Sequence, residues 1–237
     1  MKGGQRPPFW FLRYTLRMTK RKKAALVTGF EPFGGYELNP SAEIARRLDG
    51  ACIGRVPVVG RVLPVDMAAV GDAFAAALRG VDPVAVILLG LAPGEPMIRL
   101  ERVALNLADF AIPDKAGVRL ADHALDRRGD AGIWTRLPLR AIQARLLAAG
   151  IPARLSETAG TYLCNAAMYR ALTAVPRRVP CGFIHLPLLP AEVARRLERD
   201  SGAATLPSMA FPFQRKAIQL ALAVTLAESA QKRPAKA

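Results

Sequence analysis

Residues 24–48, AALVTGFEPFGGYELNPSAEIARRL, contain an apolar run, a loop rich in Gly and Pro, and a helix start in close succession. The apolar run Ala24–Thr28 is followed by a glycine and has the pattern of a buried strand. The pair Asn39-Pro40 is typical of a helix start, because Asn can cap free N–H groups and Pro suits the first helical position. The stretch therefore predicts a strand, a loop and a helix in that order.

Strand and helix patterns continue to alternate downstream. The further predicted strands are Arg55–Val65, Val84–Leu89, Ile98–Asn106, Ala153–Ser156 and Cys181–Leu186. The further predicted helices are Met67–Leu78, Leu139–Ala149, Leu163–Ala174 and one within Met209–Ala230. Residues 109–133 lack periodicity and are predicted to be mainly loop. This alternation predicts an α/β fold, a three-layer α/β/α sandwich with a doubly wound, mostly parallel sheet in a single domain.

A site is expected at the carboxyl ends of these strands. In open α/β sheets, ligands bind in the crevice that lies beyond those ends. The loops after Thr28, Leu89, Ser156 and Ile184 are therefore expected to face one crevice.

Composition and cysteine count narrow the class of protein. Apolar residues make up 51% of the 237 residues, yet no apolar run approaches the ~20 residues of a membrane helix. The three cysteines, Cys52, Cys164 and Cys181, are odd in number and show no CxxC spacing. This pattern argues against both a disulfide framework and a zinc site. We expect a cytoplasmic location and no membrane partner.

The net charge of +15 is concentrated at the two ends of the chain. Residues 1–23 carry eight basic groups and no acidic group, and residues 231–237 carry three basic groups. Removing these eight and three charges leaves +4 on residues 24–230, the predicted folded domain. The N-terminal segment is interpreted as a disordered extension, or as the product of a start assigned too early, since Met18 opens a compact beginning. A nucleic-acid binder usually has its charge on a folded docking face, so nucleic acid is not the expected partner.

Cys164 is the candidate nucleophile. It follows a loop of small residues and opens a predicted helix, where backbone N–H groups carry partial positive charge. These groups are expected to lower the pKa of the thiol and to receive the oxyanion of an acyl-transfer intermediate. The alternative is a small buried thiol that packs the helix onto the sheet.

His185 is the candidate general base. It ends an apolar strand, so its ring is expected to point into the crevice, and cysteine catalysis needs an imidazole that takes the thiol proton. A buried core histidine is the alternative. The second histidine, His123, lies in a charged loop segment and is interpreted as solvated.

A third group should orient the imidazole. Glu101 is the best carboxylate available, and Asp109 is a weaker candidate. The alternative for Glu101 is a surface ion pair with Arg99 or Arg102. The motifs GxSxG, GxGxxG and GxxxxGK[ST] do not occur in the sequence. Their absence argues against a serine hydrolase with a nucleophile elbow, a dinucleotide-binding protein and a P-loop protein.

Five segments, in order along the chain, resemble pyroglutamyl-peptidase I, also called pyrrolidone-carboxylate peptidase. They are residues 27–35 (VTGFEPFGG) with 39–41 (NPS), 101–106 (ERVALN), 112–114 (IPD), 158–165 (TAGTYLCN) and 182–187 (GFIHLP). The resemblance implies a catalytic triad of Cys164, His185 and Glu101. It also implies removal of N-terminal pyroglutamate from peptides through an acyl-enzyme, without metal or cofactor. Relatives in this family often form homo-oligomers.

The resemblance also implies a pocket for the pyroglutamyl ring. Its substrate-binding residues are expected to be Phe30, Phe33, Ile112, Leu91 and Leu163. Pyroglutamate is a small, flat, neutral lactam, which apolar walls can bury while a few backbone groups satisfy its N–H and C=O.

The pocket periphery departs from the family pattern. The family's GQAGG segment is replaced by residues 90–94 (GLAPG), and Ala111 and Ala166 stand where relatives often have Arg and His. Two further hypotheses therefore stay open. One is a diverged cysteine aminopeptidase or amidase of the same fold that acts on another small N-terminal cap. The other is a catalytically silent binding protein.

Overall fold

A computed structural model gives the structure of residues 21–200, 202 and 205–231. Residues 1–20 of the predicted N-terminal extension and residues 232–237 of the predicted basic tail lie outside the described residues. In the part of the chain that the structure describes, no helix combines the length and apolar character needed to cross a bilayer.

Strands and helices alternate along the chain. The strands are β1 (Lys22–Phe30), β2 (Cys52–Ile53), β3 (Val56–Leu63), β4 (Val81–Leu91), β5 (Ile98–Leu105), β6 (Gly132–Trp134), β7 (Ala153–Thr158) and β8 (Cys181–Leu186). The helices are α1 (Pro40–Leu48), α2 (Val70–Leu78), α3 (Leu139–Ala148), α4 (Leu163–Ala174), α5 (Pro190–Leu197) and α6 (Phe211–Gln231). Every predicted element is present. The sequence interpretation missed β2, β6 and α5: the two strands are too short to show a period, and Glu192 is the only buried residue of α5.

The sheet is mixed and mostly parallel, and its order is β2-β3-β1-β4-β8-β5-β6, with β7 also paired to β5. Strands β3, β1, β4 and β8 are mutually parallel, and β7 is parallel to β5. The pairs β2–β3, β5–β6 and β5–β8 are antiparallel. The predicted α/β fold class is confirmed.

Both faces of the central sheet are covered by helices. In β4, Ala85, Ile87 and Leu89 pack in one core cluster with residues of α1, α3 and α6. The alternate residues Val86 and Leu88 pack in a second cluster with residues of α2 and α4. Because successive side chains of a strand point to opposite faces, this two-sided burial requires the continuous apolar run of β4.

The loop after β1 is tied to the start of α1. Asn39 caps the helix, since its Oδ1 accepts a hydrogen bond from the Ser41 N–H at 3.0 Å. Its Nδ2 donates to the carbonyl of Glu31, and the Phe30 N–H donates to Ser41 Oγ. The predicted cap at Asn39-Pro40 is therefore present, and it fixes both ends of the Gly- and Pro-rich loop.

The strand directions show which of the expected loops leave the sheet at the edge where His185 lies. The loops after β1, β4 and β8 leave the same edge of the sheet, because these strands are parallel. Strand β7 is parallel to β5, which is antiparallel to β8, so the loop after Ser156 does not leave from that edge, although its Tyr162 ring reaches Phe33 in the loop after β1. The start of β5 lies there instead, since Arg99 pairs with His185.

Candidate active site

His185 and Glu101 are in contact at the end of β8. Because β5 runs antiparallel to β8, Glu101 lies two residues from the position opposite His185 and on the same face of the sheet. His185 Nδ1 is 2.7 Å from Glu101 Oε1, and the exposed fraction of the Glu101 side chain is 0%. A carboxylate only accepts hydrogen bonds, so we assign the ring proton to Nδ1. This tautomer leaves a lone pair on Nε2, which is the nitrogen a general base needs.

Cys164 lies in the first turn of α4, next to the strand position that neighbours His185. Gly90 pairs with His185 across β4 and β8. A Cβ placed on Gly90 would lie 2.8 Å from Cys164 Sγ and 2.7 Å from the Phe183 ring. Any side chain at position 90 would therefore collide with the thiol, and the glycine makes room for it.

The Cys164 thiol is buried, with 8% of the residue exposed. Burial raises its pKa to about 12, and the charge of Glu101 acts in the same direction. The charge of Arg99 and the N–H of Cys164 itself lower the pKa, but they are outweighed. The expected lowering of this pKa is therefore wrong, because loss of hydration exceeds the effect of the helix start. The resting sulfur carries its proton, so an attack requires a base.

The other candidate groups are not buried together with Cys164, His185 and Glu101. Asp109 and His123 are exposed. Glu101 does form an ion pair with Arg99, but the pair is buried rather than on the surface, and Arg102 pairs with Glu157 instead. In the described part of the chain, no three His, Cys, Asp or Glu side chains are grouped as metal ligands.

Aromatic rings gather beside the start of α4. The ring centroids of Phe33 and Tyr162 are 5.9 Å apart, and those of Phe110 and Tyr162 are 4.7 Å apart. Tyr162 also donates a hydrogen bond to the carbonyl of Pro113. The loop after β1, the loop after β5 and the residue before α4 therefore meet at one place.

Two of the five predicted pocket residues are at least partly exposed, and the other three are buried. Phe33 is partly buried and Ile112 is 43% exposed, so both present apolar surface near the Tyr162 ring. Phe30 and Leu163 are buried in the same core cluster as Cys164, behind that surface. Leu91 is buried at the end of β4, where it pairs with Leu186.

Three residues of this region were not predicted as site residues from the sequence. Tyr162 directly precedes Leu163 and Cys164 in a matching segment, so its position was a usable signal. Phe110 and Arg99 adjoin matching segments, but their contacts depend on how distant loops and strands pack, which sequence patterns do not show.

Known proteins of similar sequence identify the family of this chain. The sequence pattern of a family described as pyroglutamyl peptidase matches residues 23–228. The pyrrolidone-carboxylate peptidase of Pyrococcus furiosus is 38% identical over 206 residues, which are 86% of this chain and 98% of that protein. The protein of the same name from Yersinia pestis (strain Pestoides F) is 39% identical over 207 residues, 86% of this chain and 93% of its own.

Solved structures with these names share the fold. The pyrrolidone carboxyl peptidase from Thermococcus litoralis superposes with a TM-score of 0.81 at 39% identity, covering 90% of this chain and 96% of its own. A Pyrococcus furiosus structure gives a TM-score of 0.82 at 37% identity, covering 88% of this chain and 100% of its own.

Proposed function

The chain belongs to the pyroglutamyl-peptidase family, and from this premise we propose that it removes N-terminal pyroglutamate from peptides as a cysteine peptidase. In this proposal Cys164 is the nucleophile, His185 is the general base and Glu101 orients the imidazole. The observation that carries it is the 2.7 Å contact between His185 Nδ1 and Glu101 Oε1, at the strand position beside Cys164.

The reaction proceeds through an acyl-enzyme. His185 Nε2 takes the proton of Cys164, and the sulfur attacks the carbonyl carbon that links pyroglutamate to the next residue. Backbone N–H groups at the start of α4 receive the oxyanion. The C–N bond then breaks, and the amine leaves with the proton from His185. A water molecule, deprotonated by His185, hydrolyses the thioester and releases pyroglutamate and the free thiol.

The pocket surface suits a neutral ring. Phe33, Tyr162 and Ile112 supply partly exposed apolar surface on which a flat lactam can be buried. A peptide beginning with free Glu would bring a carboxylate and an ammonium group to the same surface, where loss of hydration is costly. The pocket therefore selects the cyclised N-terminus.

Hydrolysis of fluorogenic amides tests this proposal. We expect the wild-type protein to hydrolyse a pyroglutamyl amide at least ~100-fold more efficiently, in kcat/KM, than prolyl or alanyl amides, because prolyl lacks the lactam C=O. Cys164→Ala should abolish this hydrolysis, whereas Cys52→Ser, at an exposed cysteine, should leave it unchanged.

Two outcomes would contradict the proposal. Faster hydrolysis of the prolyl or alanyl amide would favour an enzyme for another N-terminal cap. A folded protein that hydrolyses none of the three amides would favour the catalytically silent alternative.

A further inference from the structure

Arg99 lies against the carboxylate that orients His185. Only 19% of its side chain is exposed, and its Nε is 3.1 Å from Glu101 Oε1, the same oxygen that contacts His185. Arg99 Nη2 donates hydrogen bonds to Ser156 Oγ at 3.0 Å and to the Thr158 carbonyl at 3.2 Å. The guanidinium is therefore held by β7 on one side while it faces Glu101 on the other.

A second carboxylate fixes Arg99 from outside. Arg99 Nη1 is 3.1 Å from Glu95 Oε1, and Arg154 Nη2 is 2.8 Å from the same oxygen. Burial pushes the pKa of Glu95 up, but the hydrogen bond from Arg154 and the charge of Arg99 together bring it below its ordinary value. Glu95 therefore stays ionised, and alternating charges run from Arg154 through Glu95 and Arg99 to Glu101.

Glu101 needs such a partner. It is fully buried, and among the described residues its Oε2 has no hydrogen-bond donor. A buried carboxylate that faces only a neutral imidazole loses its hydration without a compensating charge. Arg99 supplies that charge at the atom that contacts His185.

We propose that Arg99 is a positioning residue of the active site, whose guanidinium compensates the charge of the buried Glu101 carboxylate and keeps it directed at His185. This inference rests on the proposed function. The Nε–H of Arg99 is not aligned with Glu101 Oε1 as a hydrogen bond requires, so the contact acts mainly through charge. The hydrogen bonds to Ser156 and Thr158 set where that charge lies.

Arg99 also acts on the ionisation of the nucleophile. The charged and titratable groups around Cys164 are Glu101 and Arg99 from β5, His185 from β8, and Tyr162 before α4. Arg99 and Glu101 affect the thiol in opposite directions, so removing Arg99 leaves the negative charge of Glu101 uncompensated. The proton of the Cys164 thiol then becomes harder to remove.

The test compares Arg99→Gln and Arg99→Lys with Arg102→Gln. Arg102 lies on the same strand and pairs with Glu157, outside the active site, so it is a matched control. The measurements are kcat, KM, the pH profile of kcat/KM for a pyroglutamyl amide, and the pH profile of iodoacetamide alkylation at Cys164, resolved by peptide mapping. Alkylation needs no substrate and therefore reports on Arg99 independently of the proposed activity.

Arg99→Gln should lower kcat by about tenfold or more and change KM by less than about twofold, as expected when a group that orients a catalytic side chain is lost. Both pH profiles should move to higher pH by roughly half a unit or more, because a nearby cation is gone. Arg99→Lys should keep the wild-type pH profiles, since the charge remains, but kcat should still fall because the hydrogen bonds to Ser156 and Thr158 are lost. Arg102→Gln should match wild type throughout.

Unchanged pH profiles in folded Arg99→Gln would overturn the inference, as would equal effects of Arg99→Gln and Arg102→Gln. If Arg99→Gln does not fold, pH profiles of Arg99→Lys that differ from wild type would overturn it instead, because this variant keeps the charge. A wild-type protein that hydrolyses no amide, but whose alkylation profile shifts in Arg99→Gln, would refute the proposed function and leave the electrostatic role of Arg99 supported.

Discussion

Glu101 contacts both His185, the proposed general base, and Arg99. Its carboxylate is buried between His185 and Arg99, and both partners contact the same oxygen, Oε1. Its charge has two consequences: it orients the imidazole, and it adds to burial, the larger cause, in raising the pKa of the Cys164 thiol.

Glu101→Gln tests the first consequence. The amide has nearly the same shape but no charge, so it stabilises the imidazolium poorly and can turn its NH₂ group toward Nδ1. We expect kcat for a pyroglutamyl amide to fall on the order of 100-fold or more. His123→Ala, at the exposed histidine, should leave kcat unchanged. Equal kcat values in wild type and Glu101→Gln would remove Glu101 from the triad.

The pH dependence of Cys164 alkylation tests whether the resting thiol carries its proton. With a thiol pKa of about 12, the thiolate fraction should rise with pH by roughly tenfold per unit below that value. The rate of iodoacetamide alkylation at Cys164, resolved by peptide mapping, should therefore keep rising between pH 7 and pH 9. A rate that is already constant by pH 7 would show a preformed thiolate and contradict the general-base account.

At the residue scale, sequence motifs predicted Cys164, His185 and Glu101, and the structure brings Glu101 to His185 and places Cys164 beside Gly90. The direction of the thiol pKa was not predictable, because it depends on the burial of Sγ between elements that are distant in sequence. The contact between Arg99 and Glu101 was weighed only as a surface ion pair, since a sequence does not show that both side chains are buried.

At the scale of elements, the loop after β5 depends on one buried carboxylate. Asp114 Oδ2 accepts the Met67 N–H at 2.8 Å, and its Oδ1 accepts the N–H groups of Ala116 and Val118. These bonds fold the segment that carries Ile112 and fasten it to the residues before α2. The hydrogen bonds of Asp114 therefore fix the position of Ile112, one apolar wall of the proposed pocket.

Asp114→Asn should weaken substrate binding more than it slows the chemistry. The amide NH₂ cannot accept a hydrogen bond, so at least one of these backbone N–H groups loses its partner, at a cost of about 1 kcal/mol or more. We expect KM for a pyroglutamyl amide to rise several-fold while kcat changes little. Asp109→Asn, at an exposed carboxylate nearby, is the control and should match wild type. A lower kcat with unchanged KM in Asp114→Asn would place this residue in the chemistry instead.

The elements themselves were predictable where their patterns are strong. The bounds of α4 and β8 are those expected, because small residues, Gly and Pro mark their ends. The direction of β7 relative to β8 was not predictable. It follows from the antiparallel pairing of β5 with β8, and a loop's length and composition do not reveal which way the next strand runs.

At the scale of the whole molecule, the chain separates into a family-matched domain and basic ends. The family match covers residues 23–228, close to the predicted domain of residues 24–230. The eight basic groups of residues 1–23 lie almost entirely before this match. The expected homo-oligomer stays a prediction.

A protein that begins at Met18 should keep the wild-type kcat, KM and midpoint of thermal unfolding, since residues 1–17 precede the matched region. Deleting residues 1–17 and 231–237 together should likewise leave hydrolysis intact. Lost hydrolysis or insolubility on removing residues 1–17 would contradict their assignment as dispensable. If the full chain binds nucleic acid and the shortened one does not, the basic ends have a separate role.

Trapping the acyl-enzyme shows directly whether Cys164 carries the acyl group. The protein is mixed with a pyroglutamyl amide, quenched in acid during turnover, digested and mapped by mass spectrometry. We expect a pyroglutamyl thioester on the peptide that contains Cys164, and no adduct or turnover in Cys164→Ala. An acyl group on a different residue, or turnover that persists in Cys164→Ala, would contradict this expectation.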